Sequence, residues 1–478
     1  MKTFLRFLFL FVALSISTFS HSQVLVSVTD LGIFPKSTFA LIGFQNAQYN
    51  IQMYKVTYNT LDNDGNNVEA SGMVAVPIGA TCDSLPISLY THGTVLLRED
   101  VPSRNNLESI FGKAIASSGY ITAMPDYLGL GDLQGLHPYQ HAESEARVSI
   151  DILRATKELI EDSLTYTYKN EYFITGYSQG GHAAMASIKY IEDNNLTDEF
   201  NVIASAPLSG SVNASATQTD IIIDDLPFGN QGFVIYIIMA YQETYGGIYN
   251  TPSDFLQSPY DQTIPPLMDG NHDLEELNDS LPVYASDYLD PTFLANLLAD
   301  TTTKSSPLWQ ALLDNDNYDW KPTGHLKMFY CSGDQTVFPE NTTNAFEAMI
   351  NNGATKVFKE DLGNFSHGGC ATPALQSAIM YFDSLRPDCN TPSSITNVVS
   401  VEPKIQVAPN PANELVQLSI NSASSVEIVI YSVTGREIFR KHMNQNLAIN
   451  VSSWTKGIYF IQATGKDFRN VSKLAVQH

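Results

Sequence analysis

The alternation of apolar and polar positions changes character along these 478 residues. Between about Leu85 and Leu385, short runs rich in β-branched and aromatic residues alternate with amphipathic stretches, the pattern of a parallel sheet covered by helices. Six runs read as strands: Pro86–Tyr90, Tyr120–Met124, Tyr172–Thr175, Val202–Ser205, Leu326–Tyr330 and Lys356–Glu360. Between them Leu107, Ile110, Phe111, Ala114 and Ile115 recur at helical spacing, as do Val148, Ile152, Ala155 and Leu159, which predicts two helices that each cover one sheet face. The alternation breaks from about Pro207 to Gly324, where Gly, Pro, Asn and Asp mix with short helical patterns. An irregular insertion of that length predicts a lid or a binding wall. Within it Phe233–Tyr241 is too short to span a bilayer and reads as a buried or pocket-lining helix. Upstream, Tyr54–Leu61 and Val68–Pro77 flank Asp62-Asn63-Asp64-Gly65-Asn66-Asn67, which predicts a hairpin turn. A calcium loop would need glycine at the sixth position and glutamate at the twelfth, and has neither.

After Arg386 the chain turns polar at Thr391-Pro392-Ser393-Ser394 and then reads only as strands and turns. Val426, Ile428 and Ile430 alternate as on a half-buried strand, and Thr434-Gly435 predicts a turn into Glu437–Lys441. The expected plan is an α/β domain over 23–388 with a helical insertion at about 207–324, a linker over 389–402, and a small all-β sandwich over 403–478. Residues 1–22 precede it with Lys2 and Arg6, an apolar run from Phe7 to Ile16 and then Ser20-His21-Ser22, the order of a signal peptide cleaved before Gln23. No cysteine near that point suggests a lipid anchor. The mature chain is expected to be exported, with no transmembrane segment.

Composition narrows the partners. With 44% apolar and 16% charged residues the chain is neither collagen-like nor disordered. Its 26 Lys plus Arg against 50 Asp plus Glu give a net charge of −24, which repels phosphate backbones and anionic headgroups. Nucleic acid is therefore not an expected partner. Four cysteines, Cys82, Cys331, Cys370 and Cys389, allow up to two disulfides in an exported chain. The sequence contains neither C-x-x-C nor H-E-x-x-H, so no metal is expected.

The sharpest motif is Gly176-Tyr177-Ser178-Gln179-Gly180-Gly181, between the strand Tyr172–Thr175 and a helix through Ala183, Ala184 and Met185. This is the context of a nucleophile elbow, in which a strained serine needs small neighbours two residues away. A serine hydroxyl needs a histidine base and an acid to fix its tautomer, in the chain order Ser, Asp, His. Asp334 follows the strand Leu326–Tyr330 and His367 follows Lys356–Glu360, so both belong at the sheet edge where Ser178 emerges. His182 reads as a buried residue under the elbow, His137 and His141 as loop structure or pocket wall, and His92 as part of its own loop. Asp126 is a rival acid whose early place favours a bracing role. The oxyanion needs two N–H donors, expected from the amides of Gln179 and of Thr94 in Thr91-His92-Gly93-Thr94. Cys331 and Cys370 flank the Asp334 and His367 loops, and a bridge between them would brace both; the rival pairing is Cys370–Cys389.

These residues carry a resemblance. The hairpin ending in Ala70-Ser71-Gly72-Met73-Val74-Ala75-Val76-Pro77, the stretch Pro125–Asp132 with His137-Pro138-Tyr139, the elbow with His182-Ala183, and the long insertion resemble the secretory lipase group of α/β-hydrolases. The resemblance implies an eight-stranded hydrolase core, a helical lid, a carboxylic-ester substrate (small molecule or lipid), no cofactor, and the triad Ser178, Asp334 and His367. The tail, with Val407-Ala408-Pro409-Asn410-Pro411, Tyr431-Ser432-Val433-Thr434-Gly435-Arg436 and Trp454-Thr455-Lys456-Gly457-Ile458-Tyr459-Phe460, is similar to the C-terminal sorting domain of the bacterial type IX secretion system. That implies recognition by the secretion machinery and an extracellular or surface-attached protein. The sequence reading is a serine esterase or lipase. A peptidase or a polysaccharide-ester (acetyl or feruloyl) hydrolase on the same fold, and a non-catalytic binding protein on a hydrolase scaffold, are its rivals.

Overall fold

The computed structural model describes residues 23–41, 44, 47–80, 82, 84–164, 166–386, 405–420, 425–432, 436–444, 446–465 and 469–477. The expected signal peptide, the linker, Cys389 and the Thr434-Gly435 turn lie outside the described residues.

One sheet organises the larger part, in the order β1-β2-β3-β5-β4-β6-β7-β8-β9. Its strands are β1 (Leu25–Phe34), β2 (Ile51–Leu61), β3 (Asn67–Pro77), β4 (Ser84–Thr91), β5 (Ile121–Pro125), β6 (Thr167–Tyr177), β7 (Val202–Leu208), β8 (His325–Tyr330) and β9 (Val357–Asp361). From β5 onward every neighbour is parallel, while β1, β2 and β3 join antiparallel. The sheet is thus mostly parallel, with nine strands where eight were expected. The difference includes β1, which pairs along the outer edge of β2 but leaves most side chains exposed, so it lacks the apolar alternation that marks a strand in sequence. The β2–β3 hairpin closes on Asp62, whose carboxylate accepts the amides of Asp64 and Asn66 at 3.0 and 2.8 Å.

The two sheet faces carry separate cores. On one, α3 (Ala142–Ser163), α4 (Gln179–Asp193) and α11 (Glu340–Asn351) press Ile152, Leu153, Leu159, Met185, Ile188 and Met349 onto Val56, Val74, Ile87, Leu89 and Ile174. On the other, α2 (Ile110–Ser117) and α12 (His367–Leu385) press Ala114, Ile115, Leu375 and Phe382 onto Met73, Ala75, Phe173 and Phe329, while the short α1 (Ser37–Leu41) adds Phe39. Leu107, read as part of the first covering helix, is 83% exposed and precedes it. Asn105, at φ 59°, ends a short turn, and the chain makes one further turn, with the Asn106 side chain taking the Ser109 amide at 3.0 Å, before the helix begins at Ile110.

Between β7 and β8 the chain builds a third core instead of a loop. Helices α5 (Asp220–Ile223), α6 (Gly232–Tyr245), α7 (Tyr260–Thr263), α8 (Leu274–Asp279), α9 (Pro291–Ala299) and α10 (Pro307–Asp314) pack around Trp309, Tyr241, Phe255 and Tyr288, all fully buried. The tail forms two antiparallel sheets, β10-β11-β14 and β13-β12-β15-β16. Their strands are β10 (Ile405–Ala408), β11 (Leu415–Ile420), β12 (Val426–Ser432), β13 (Glu437–Met443), β14 (Asn446–Asn450), β15 (Gly457–Thr464) and β16 (Arg469–Val476). Val426, Ile428 and Ile430 all face their shared core.

Lys113 of α2 is 2% exposed, with its ammonium donating to Asn105 and standing 5.1 Å from the centre of the Phe34 ring. Burial without a carboxylate partner pulls its pKa down to about 8. Below pH 8 the unfolded chain holds this proton more tightly than the folded one, so the cation costs stability, and the cost disappears above the unfolded pKa near 10.4. Lys113→Met should therefore raise the melting temperature at pH 7, with a gain that shrinks between pH 8 and 10.5, as calorimetry across that range would record.

Candidate active site

The strand β6 passes into α4 through Ser178 alone. That residue sits at φ 61° and ψ −121°, and its carbonyl accepts the amides of Gly181 and His182 at 2.8 and 3.2 Å. The crossing is tight on every side. A Cβ on Gly176 would stand 2.0 Å from the Thr91 hydroxyl, and one on Gly180 would stand 2.0 Å from the Thr91 carbonyl oxygen. Glycine is required at both positions because the elbow and the end of β4 occupy the same space.

The loop after β8 brings Asp334 to this edge, with one carboxylate oxygen accepting the amides of Thr336 and Val337, both at 2.9 Å. The other accepts from His367 Nδ1 at 2.6 Å. His367 opens α12, where the Ser366 hydroxyl takes the Gly369 amide. Its Nε2 lies 2.9 Å from Ser178 Oγ. Since Asp334 can only accept, Nδ1 carries the proton and Nε2 is left as acceptor for the serine hydroxyl. Ser178 and Asp334 are buried, and the His367 side chain is 17% exposed. Tyr177 holds the histidine from beneath, its hydroxyl donating to the His367 carbonyl and its ring centre 5.0 Å away. The Cys331–Cys370 disulfide joins the two loops three residues before Asp334 and three after His367; the alternative pairing of Cys370 with Cys389 does not occur.

Among the described residues no acceptor is found for the amide of Gln179 or for that of Thr94. The Thr94 loop is fixed from several directions. Glu108 accepts the Gly93 amide at 2.9 Å, the Thr94 hydroxyl meets Tyr139 Oη at 2.9 Å, and Tyr236 Oη donates to the Val95 carbonyl at 3.3 Å. His92 turns Nδ1 to the Gly93 carbonyl at 2.8 Å and is fully buried. Asp126, the rival acid, accepts from Ser71 Oγ at 2.6 Å and the Ser103 amide at 2.9 Å; it braces loops, and burial holds its carboxyl above the usual range. His182 lies beneath the elbow against Glu145, and His137 against Gln179. His141 is buried beside the Tyr245 ring of the insertion. Glu108 and Glu145 were not singled out in the sequence, and Tyr139 and Tyr177 stood there only as members of the motifs around His137 and Ser178, with no role assigned. The only signal for Glu145 was its place on the apolar face that Val148 and Ile152 mark.

Ser178 opens into a cleft. Its walls come from the insertion, with Ile221, Ile222, Phe228, Phe233, Val234, Ile237 and Ile238, and Gln140, Ser211 and Thr336 supply scattered polar groups. A hydroxyl, an acceptor imidazole and a paired carboxylate in one line can perform acyl transfer.

In fold this is an α/β-hydrolase, similar in architecture to solved esterases and lipases, followed by a secretion sorting domain. The family model described as the secretion system C-terminal sorting domain matches residues 406–477, which implies export and engagement with the type IX secretion machinery. Among solved structures, a candidate hydrolase from Legionella pneumophila is 29% identical with a TM-score of 0.70, over 77% of this chain and 99% of that one. The rice cell wall degrading esterase LipA from Xanthomonas oryzae is 28% identical with a TM-score of 0.68, over 76% of this chain and 98% of its own. Candida antarctica lipase A in its closed state, 15% identical with a TM-score of 0.54 over 77% and 84% of the two chains, shares the fold. No curated protein matches the chain in sequence. Among the described residues no helix is long and apolar enough to cross a membrane.

The disulfide closes a loop of sequence separation 39. Chain entropy alone assigns such a link about 3–4 kcal/mol. The double variant Cys331→Ala/Cys370→Ala should unfold earlier by about 2–4 kcal/mol in denaturant titration.

Proposed function

We propose that the protein is an exported serine ester hydrolase with Ser178 as nucleophile, His367 as general base and acid, and Asp334 as the residue that orients the imidazole. The observation that carries this reading is the unbroken line Ser178 Oγ, His367 Nε2, His367 Nδ1, Asp334 Oδ2, with contacts of 2.9 and 2.6 Å. Ser178 Oγ adds to the acyl carbonyl as its proton passes to His367 Nε2, and Asp334 stabilises the imidazolium. The amides of Gln179 and Thr94 receive the oxyanion. Collapse expels the alcohol, which takes the proton from His367, and a water molecule repeats the cycle to free the acid.

The cleft wall favours an apolar acyl group over a charged or sugar substituent at that site, because Ile221, Ile222, Phe228, Val234, Ile237 and Ile238 present no hydrogen-bonding side chains. The likeness to LipA supports a second reading, an ester of the plant cell wall. Release of acetate or ferulate from xylan in preference to simple acyl esters would favour it. The domain plan supports the same account: a hydrolase unit over 23–388, with the segment at about 207–324 as its lid, exported by a tail over 403–478 that is removed or anchors the enzyme outside the cell.

On p-nitrophenyl esters from acetate to palmitate the mature protein should turn over, and Ser178→Ala should lose at least about 10³-fold in kcat/KM. Absence of turnover on every ester, or retention of activity by Ser178→Ala, would contradict the reading. Val234→Trp fills the cleft and should move the optimum to shorter acyl chains, measured as the ratio of kcat/KM for octanoate and acetate.

A further inference from the structure

Behind the candidate oxyanion hole lies a polar cluster that the proton transfers do not use. Glu145 in the first turn of α3 has a fully buried side chain, and each of its oxygens takes one partner: Oε2 meets His182 Nδ1 at 2.7 Å, and Oε1 accepts from Gln179 Nε2 at 2.7 Å. The same Gln179 nitrogen donates to His137 Nε2, also at 2.7 Å. Both donors of the carboxamide are therefore committed, one to a residue of α3 and one to the loop before it.

We propose that Glu145 and His182 are positioning residues for the oxyanion hole, acting through the side chain of Gln179, and that they work as a carboxylate–imidazolium pair so that the anchor adds no net charge beside the developing oxyanion. The inference rests on the serine-hydrolase reading of the same site. Gln179 follows the nucleophile directly, and the amide assigned to the oxyanion belongs to the residue whose side chain is held twice. A buried carboxylate is the strongest acceptor for a carboxamide, yet alone it would oppose the negative charge that the reaction creates nearby. His182 removes that conflict. Its Nε2 faces the Asn315 carbonyl at 2.9 Å while Nδ1 faces Glu145, so each nitrogen of a cationic ring has an acceptor. Burial pulls its pKa down, but the Glu145 charge and these hydrogen bonds outweigh it and hold the imidazole above its ordinary value. The other groups facing the ring are the Asn317 amide, 3.0 Å from Nε2, and more remotely the Asp316 carboxylate, which is bonded to Ser215.

His137 completes the clamp as a neutral ring. Nδ1 meets the Leu128 carbonyl at 2.9 Å, and burial lowers its pKa to about 4, which leaves Nε2 as an acceptor for Gln179. Its ring stacks on Tyr127, 5.3 Å between centres, and the Tyr127 hydroxyl donates to the His92 carbonyl at 3.0 Å in the loop that ends in Thr94. One cluster thus touches the segments that supply both oxyanion amides.

Gln179→Met keeps the backbone amide and most of the side-chain volume but removes both tethers, while Glu145→Gln keeps an acceptor and removes the charge. With the ester that wild type hydrolyses fastest, each change should lower kcat about 10- to 100-fold, leave KM within about two-fold, and weaken an alkylboronic acid that forms a tetrahedral adduct on Ser178 by a similar factor. The double variant should be no slower than the slower single variant, because the two changes break one linkage. Should Glu145→Gln fail to fold, Gln179→Met alone decides. Wild-type activity with a Gln179→Met kcat within two-fold of wild type, or fully additive losses in the double variant, would overturn the inference and leave the hydrolase reading standing. A wild type without ester turnover would sink both.

Discussion

The chain reverses from β6 into α4 over one residue, and the space left for that reversal governs the rest of the molecule. Ser178 can hold φ 61° only because Gly176, Gly180 and the end of β4 approach without side chains between them, with a Cβ on either glycine falling 2.0 Å from an atom of Thr91. A strained non-glycine conformation costs about 1–3 kcal/mol and persists where the surroundings fix it. Here they do so through the Leu208 carbonyl, which takes the Ser178 amide at 3.0 Å, and through two amides of α4 on the Ser178 carbonyl. The strain holds the hydroxyl out of the sheet edge, towards His367.

Around that point the sheet acts as a ruler. Parallel strands β6, β7, β8 and β9 end on one side, so the loops after β8 and β9 arrive beside the elbow although Asp334 and His367 are remote from Ser178 in sequence. The disulfide fixes those two loops to each other. The insertion supplies what the sheet cannot, an apolar wall with its own core around Trp309. Tyr139 and Tyr236, stacked with centres 4.5 Å apart, hydrogen-bond Thr94 and Val95 and link that wall to the loop after β4.

Local rules made much of this legible in the sequence. Strand interiors rich in Val, Ile and aromatics announced the parallel sheet, and the elbow announced itself because its glycines and serine fall within six consecutive residues between a strand and a helix, although the contact that requires the glycines is with Thr91 of β4. Placing Asp334 and His367 needed only chain order and the rule that loops after parallel strands share an edge. What escaped was set by tertiary contact. The strand β1 is exposed and has no alternation, and Leu107 fits a helical period but lies in the turn before Ser109, where the helix starts. The Glu145–His182–Gln179 cluster joins α3 and α4, and neither of its contacts lies within a single segment. Its traces were His182, read as buried under the elbow, and Glu145 on an apolar helix face, since a carboxylate is buried only when paired.

The most direct measurement is intact-mass spectrometry of the mature protein after exposure to a fluorophosphonate, with peptide mapping of the adduct. The account predicts one adduct per chain, located on Ser178, and a labelling rate that falls by orders of magnitude in His367→Ala. Labelling at another serine, or an unchanged rate without His367, would contradict a nucleophile activated by that histidine.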